Sequence, residues 1–203
     1  MPSVSDTKVL LSFGSAEGGM EFVMQLRRDI YSKFGKKLDA DPYFCYLDAE
    51  SLRTDRNTTY EYKPIEDINK MENSEWKANY QRAMKYCKTM VLLITKQWLN
   101  SEWCWAELNM LVKEAENSRK KIVVVYWPDA RALMAQGLPR DDLPAPNNLT
   151  ARIDKIRSDK FVITVSGAQT PIKGELPSGH VKTFAYSCTE AECKHITSMI
   201  DIS

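Results

Sequence analysis

The sequence predicts an α/β protein of three layers, a central parallel sheet flanked by helices, and two features of its apolar pattern carry that prediction. Short runs that are hydrophobic at nearly every position suit strands buried on both faces. Between them lie longer stretches in which apolar residues recur every three or four positions, as on amphipathic helices. Strands alternating with helices build βαβ units and hence a parallel sheet.

Lys8–Phe13 (KVLLSF) is the first such run, ended by Gly14 and Ser15. From Gly19 the period changes: Phe22, Val23, Leu26 and Ile30 share a helical face, and Gly35 stands where a helix stop is expected. Tyr43–Leu47 (YFCYL) reads as the second strand, ending at Asp48. The polar stretch Ala49–Asn73 is far longer than the about 2–6 residues of an ordinary βα loop, so it is either a functional lid or an insertion. Trp76, Tyr80, Ala83, Met84 and Cys87 predict a helix over Glu75–Lys88. Met90–Thr95 (MVLLIT) is the third strand, and Lys96–Asn100 a loop. Ser101 is placed to cap a helix continuing through Trp103–Glu116. Ile122–Trp127 (IVVVYW) is the fourth strand.

The order βαβαβαβ points to a flavodoxin-like arrangement. After Trp127 the pattern weakens. Pro128, Gly137, Pro139, Pro144 and Pro146 mark a loop-rich region with a short helical stretch around Ala130–Gln136. Asn148–Arg157 and Thr189–Ile200 read as helices, and Phe161–Val165 and Val181–Ser187 as strands. Burial of Phe161–Val165, Phe184 and Ile196 is expected to hold this C-terminal segment against the core.

At 203 residues, with 43% hydrophobic and 27% charged side chains, the chain fits one soluble domain, 1–203. A net charge of +1 favours neither nucleic acid nor an anionic membrane as partner. Its apolar runs fall well short of the roughly 20 residues that span a bilayer, and the polar N-terminus shows no secretory signal. Five scattered cysteines do not make a disulfide framework, so free thiols and a cytoplasmic location are expected. Cys188, Cys193 and His195 have the chemistry of metal ligands, but the segment reads as one helix, and no metal or cofactor is expected.

Ligands on such sheets bind outside the carboxyl ends of the strands. Three segments fall on that edge: Gly14–Gly19, Asp48–Asn73 and Lys96–Trp103. The last opens a helix on which Trp103 and Glu107, four residues apart, share a face. An indole face suits a planar, electron-poor ring. A carboxylate beside it can stabilise an oxocarbenium-like sugar. Helices holding Trp and Glu are also common in the bland sense, with Glu107 a surface residue beside a core tryptophan. Trp105 is two positions away and faces elsewhere, so packing or an interface is its expected role.

The segment Leu92–Leu108 (LLITKQWLNSEWCWAEL) resembles the signature of Toll/interleukin receptor (TIR) domains. There a buried strand and loop precede Ser-x-Trp-Cys-x-x-Glu-Leu, here Ser101, Trp103, Cys104, Glu107 and Leu108. Lys8–Phe13 and Val123–Trp127 are similar to the family's opening and late strands, so the resemblance covers roughly residues 6–130 and leaves 131–203 as an elaboration packed on that core. It implies the enzymatic branch. Glu107 would be catalytic, with NAD as substrate rather than cofactor, and Trp103 would stack on it. Phe13, Gly14 and Ser15 would approach its adenosine or ribose part. Asp48 could face the pocket or cap a helix, and Arg53 and Arg56 could meet pyrophosphate or simply be solvated. Gly14–Gly19 lacks the G-x-G-x-x-G spacing, so no dehydrogenase fingerprint is present.

Implied functions are an NAD glycohydrolase or ADP-ribosyl cyclase and self-association through TIR–TIR contacts. The chain resembles stand-alone prokaryotic TIR proteins, such as the TIR component of Thoeris antiviral defence, whose nucleotide product signals to a downstream effector. It is also similar in outline to TIR effectors of pathogens. Two rivals stand beside this reading: a non-catalytic interaction module acting through the long loop, and a nucleoside 2-deoxyribosyltransferase-like hydrolase. The long loop and the C-terminal segment depart from the family pattern.

Overall fold

The computed structural model describes residues 2–14, 19–47, 73–99, 101–135, 149–150, 153–154, 159–175 and 181–203. A 3-10 turn at Val4–Asp6 precedes β1 (Val9–Phe13), α1 (Gly19–Lys33) and β2 (Cys45–Tyr46). Then come α2 (Asn73–Tyr86), β3 (Thr89–Ile94), α3 (Lys96–Leu99), α4 (Glu102–Asn117), β4 (Lys121–Tyr126) and α5 (Pro128–Ala135). The chain closes with β5 (Asp159–Thr164), β6 (Ala168–Glu175), β7 (Val181–Ser187) and α6 (Glu190–Ser198). Five strands form one parallel sheet in the order β2-β1-β3-β4-β5, which is the flavodoxin-like arrangement.

Strand alternation divides the core into two halves. Leu10, Met90, Leu92, Ile122 and Val124 face α2, α4 and α5, with Tyr80, Met84, Leu108 and Leu111 filling that side. Val9, Leu11, Val91, Val123 and Val125 face α1 and α6, meeting Phe22, Leu26, Ile30 and Ile196. Burial of both faces explains why the strands read as unbroken hydrophobic runs.

Helix ends follow their expected chemistry. After α1, Lys36 N donates to Tyr31 O at 2.9 Å, and Gly35 takes φ +61, the left-handed stop anticipated there. Ser101 Oγ caps α4 by accepting from Cys104 N at 3.3 Å. Thr189 and Glu192 form a capping box at α6, and the Glu192 carboxylate also accepts from Ser166 N and Oγ, both at 2.7 Å, tying the helix to the β5–β6 turn.

Several elements differ from expectation. Of the aromatic run Tyr43–Leu47 only Cys45–Tyr46 form a strand, paired with β1 at the sheet's edge. Lys96–Asn100, expected as a loop, holds the helical turn α3. Within Phe161–Val165, Val162 is 64% exposed, since β5 is the opposite edge strand and one of its faces is open. β5 pairs along its length with β4. β6 was not expected at all. It pairs antiparallel with β7, with an irregularity between Pro171 and Gly174. Both β7 and α6 lie against α1. Residues 149–150 and 153–154 of the helix expected at Asn148–Arg157 are helical, with Leu149 and Ile153 buried; the rest of it, and the side chain of Phe184, lie outside the described residues. Among the described residues no helix is long and apolar enough to cross a membrane.

Candidate functional site

In a sheet of this order the chain leaves β1 in one direction for β2 and then crosses back to β3, so the carboxyl ends of β1 and β3 splay their following loops apart. That switch point is where ligands bind. Ser12 and Phe13 end β1 beside Leu92 and Leu93 of β3. The chain leaving β3 forms α3 and then α4, and both return side chains to this spot.

Glu107 is 7% exposed, which removes the reading of a surface residue. Ser12 Oγ donates to its Oε2 at 2.5 Å. Trp98, fully buried on α3, donates from Nε1 to Ser12 Oγ at 2.9 Å. α4 brings Glu107 here because Cys104, Leu108, Leu111 and Ala115 form its buried stripe, and Glu107 lies on that inner side. Trp105 is also buried. Its Nε1 donates to Leu99 O at 2.9 Å and its ring lies 5.5 Å from that of Trp98, so it packs α3 against α4.

Cys104 is a neighbour of different character. Its Sγ lies 3.4 Å from Phe13 O, and burial, followed by the charge of Glu107, pushes the thiol well above the ordinary cysteine value. It therefore stays a protonated, weak donor at neutral pH and is no nucleophile. All five cysteines are free thiols. The described residues contain no cluster of His, Cys, Asp and Glu able to hold a metal ion.

The residues expected from the sequence are placed unevenly. Glu107 sits at the switch point. Phe13 does so through its backbone, while its half-buried ring packs on the α1 side of the sheet, since adjacent strand residues face opposite ways. Gly14 follows it, buried. Trp103 lies in the first turn of α4, but its side chain, like the whole of Ser15, Asp48, Arg53 and Arg56, is outside the described residues. The side chains found in contact with Glu107's network, Ser12 and Trp98, were not singled out. Ser12 did leave a signal, as the polar member of an otherwise apolar run due for burial on both faces.

A groove of about 670 Å³ between α2 and α4 is lined by Gln81, Arg82, Lys85, Tyr86, Met110 and Lys113, among others. Neither Glu107 nor Ser12 lines it. It runs along two helices rather than at the carboxyl ends of strands, so the candidate site is the switch point.

The family model of the TIR domain matches residues 27–145, more than half of the chain, and the chain belongs to that family. It is 33% identical over 121 residues to the 3' cyclic ADP-D-ribose synthase HopAM1 of Pseudomonas syringae pv. tomato, an alignment covering 59% of this chain and 44% of that protein. The chain thus spans less than half the length of that relative. No solved structure matches it.

Proposed function

We propose that this TIR domain cleaves NAD, breaking the bond between nicotinamide and ribose. The observation that carries the reading is a carboxylate, Glu107, buried at the switch point of the sheet and held there by Ser12. Departure of nicotinamide as a neutral molecule needs no general acid, and it leaves positive charge on the ribose. A fixed carboxylate in a low-dielectric setting stabilises that charge as it develops, at the point where such stabilisation accelerates the reaction most. Trp103, one helical turn before Glu107, is the proposed stacking residue. Phe13, Gly14, Ser15 and Asp48 are the proposed lining.

The ribosyl centre then takes a nucleophile. Water gives ADP-ribose, nicotinamide and a proton. A group of the same molecule gives a cyclic ADP-ribose isomer, nicotinamide and a proton. The name of the Pseudomonas relative, a 3' cyclic ADP-D-ribose synthase, supports cyclisation. The proposal includes a homo-oligomer formed through TIR–TIR contacts, whose product acts as an antiphage signal for a separate effector.

The test is NAD consumption by concentrated and by artificially clustered protein, products resolved by mass, beside Glu107→Gln. That substitution keeps the size and an acceptor for Ser12 while removing the charge. Nicotinamide release by the wild type and its loss in the variant is the expected result. Equal turnover by the two, or none by the wild type in either state, would sink the proposal and favour a non-catalytic interaction module.

A further inference from the structure

We propose that Ser12, locked by Trp98, is a positioning residue that aims the Glu107 carboxylate; this rests on the NAD-cleavage reading of the same site. An indole Nε1–H donates only, and that of Trp98 lies 2.9 Å from Ser12 Oγ. The Ser12 oxygen therefore accepts there and has a single proton left to give, and Glu107 Oε2 at 2.5 Å is its acceptor. The direction Trp98 to Ser12 to Glu107 is thus set by chemistry. A serine hydroxyl normally rotates to suit its surroundings; this one is held to a single orientation. The chain of donors is complete when Glu107 is the carboxylate, the form that the proposed reaction uses.

Each member is fixed from behind. Ser12 is 1% exposed and is held by β-sheet register opposite Leu92. Trp98 is anchored by its backbone N–H on Thr95 Oγ1 at 3.1 Å and by the ring of Trp105. The network thus spans β1, α3 and α4, rigid elements rather than loops, which is what holding a reacting group to a fraction of an ångström requires. Taking a carboxylate out of water is costly, and replacing a buried polar network by apolar side chains of similar volume is often neutral or stabilising, so a network of this kind is weak evidence of a purely stabilising role.

The experiment combines steady-state kinetics on NAD for Ser12→Ala, Ser12→Thr, Trp98→Phe and the Ser12→Ala/Trp98→Phe double variant with ¹H–¹⁵N spectra of the indole groups. Ser12→Ala is expected to lower kcat by about 10–100-fold, as loss of a supporting partner of a site residue does, with KM within about twofold. Ser12→Thr, which keeps the hydroxyl, restores most of kcat. Trp98→Phe lowers kcat less, and adds nothing in the Ser12→Ala background because it acts through that hydroxyl. The Trp98 indole resonance moves in Ser12→Ala and, through the relay, in Glu107→Gln. Multiplicative losses in the double variant, an unchanged kcat in Ser12→Ala, or an indole resonance indifferent to Glu107→Gln would overturn the relay while leaving NAD cleavage standing. A wild type inert toward NAD with the spectral coupling intact would instead overturn the NAD reading, and reduce Ser12 to a structural hydrogen bond.

Discussion

At the amino edge of the sheet Lys120 is 4% exposed; at the carboxyl edge Glu107 is 7% exposed. The two buried charges have partners of opposite kinds. Lys120 Nζ donates to Lys85 O at 3.1 Å and Cys87 O at 3.0 Å, where α2 ends and β3 is about to begin. On the other face the exposed Lys33 likewise donates to main-chain carbonyls, Thr197 O at 2.8 Å and Ile200 O at 2.7 Å at the end of α6. Glu107 instead meets a side-chain hydroxyl, Ser12, at the switch point. The difference follows from chain direction. Helices that return a chain between parallel strands end at the amino edge, where their last carbonyls need donors, and lysines supply them. At the carboxyl edge helices begin, orphan groups are N–H donors, and negative charge is tolerated. Glu107 lies in the second turn of α4, past the reach of that field, so the helix terminus does not account for it. Equal burial thus separates into a cation bonded to main-chain carbonyls and a carboxylate bonded to a side-chain hydroxyl.

The comparison can be broken in three ways, beginning with the largest effect. The α1 side of the carboxyl edge is closed by Trp127, which packs edge-on against Phe22 at 4.5 Å and against Gly167. Gly167 has φ +45, and a Cβ there would lie 2.7 Å from Trp127 Cδ1. Gly167→Ala is therefore expected to cost about 2–4 kcal/mol in chemical denaturation, with NAD turnover per folded molecule unchanged. A specific loss of turnover would mean that this side of the edge also belongs to the site.

Lys120→Met comes next. It strips two carbonyls of a charged donor, and urea titration should show a loss of about 1–3 kcal/mol with turnover per folded molecule retained. Unchanged stability would remove the structural half of the contrast.

The third effect is alkaline. Cys87 lies beside Lys120, and burial pushes its thiol from 9.0 up to about 12. A folded value above the unfolded one gives stability that is complete below pH 9.0 and lost as pH rises through about 12. The melting-temperature difference between wild type and Cys87→Ala should accordingly be greatest below pH 9.0 and shrink above it. A difference independent of pH would mean that the thiol is not shielded at the amino edge.

The fold was largely legible because a parallel sheet covered on both faces writes itself as unbroken apolar runs, and β1, β3 and β4 stand within a residue of where those runs lie. The edges were harder to read. β2 is only two residues long, and β6 carries Pro171 and Gly174, which an interior strand would exclude but this two-stranded antiparallel ribbon accommodates. At the candidate site, Glu107 stood out by its spacing to Trp103 and by the family signature. Ser12 and Trp98 were not. Ser12 was read as one more strand residue, and α3 is a single turn, too short to show helical periodicity. Only the crossing of α3 and α4 over β1 brings residues 12, 98 and 107 together, a juxtaposition no local pattern contains.

The measurement that bears most directly on the account is NAD turnover and thermal melting, recorded on the same preparations of wild type, Glu107→Gln and Lys120→Met. A double dissociation is the expected result. Glu107→Gln should lose turnover by about 10²–10³-fold or more while melting within a few degrees of the wild type. Lys120→Met should melt lower yet turn over normally when folded. A Glu107→Gln variant that still cleaves NAD at the wild-type rate would contradict the central claim, whatever its melting temperature.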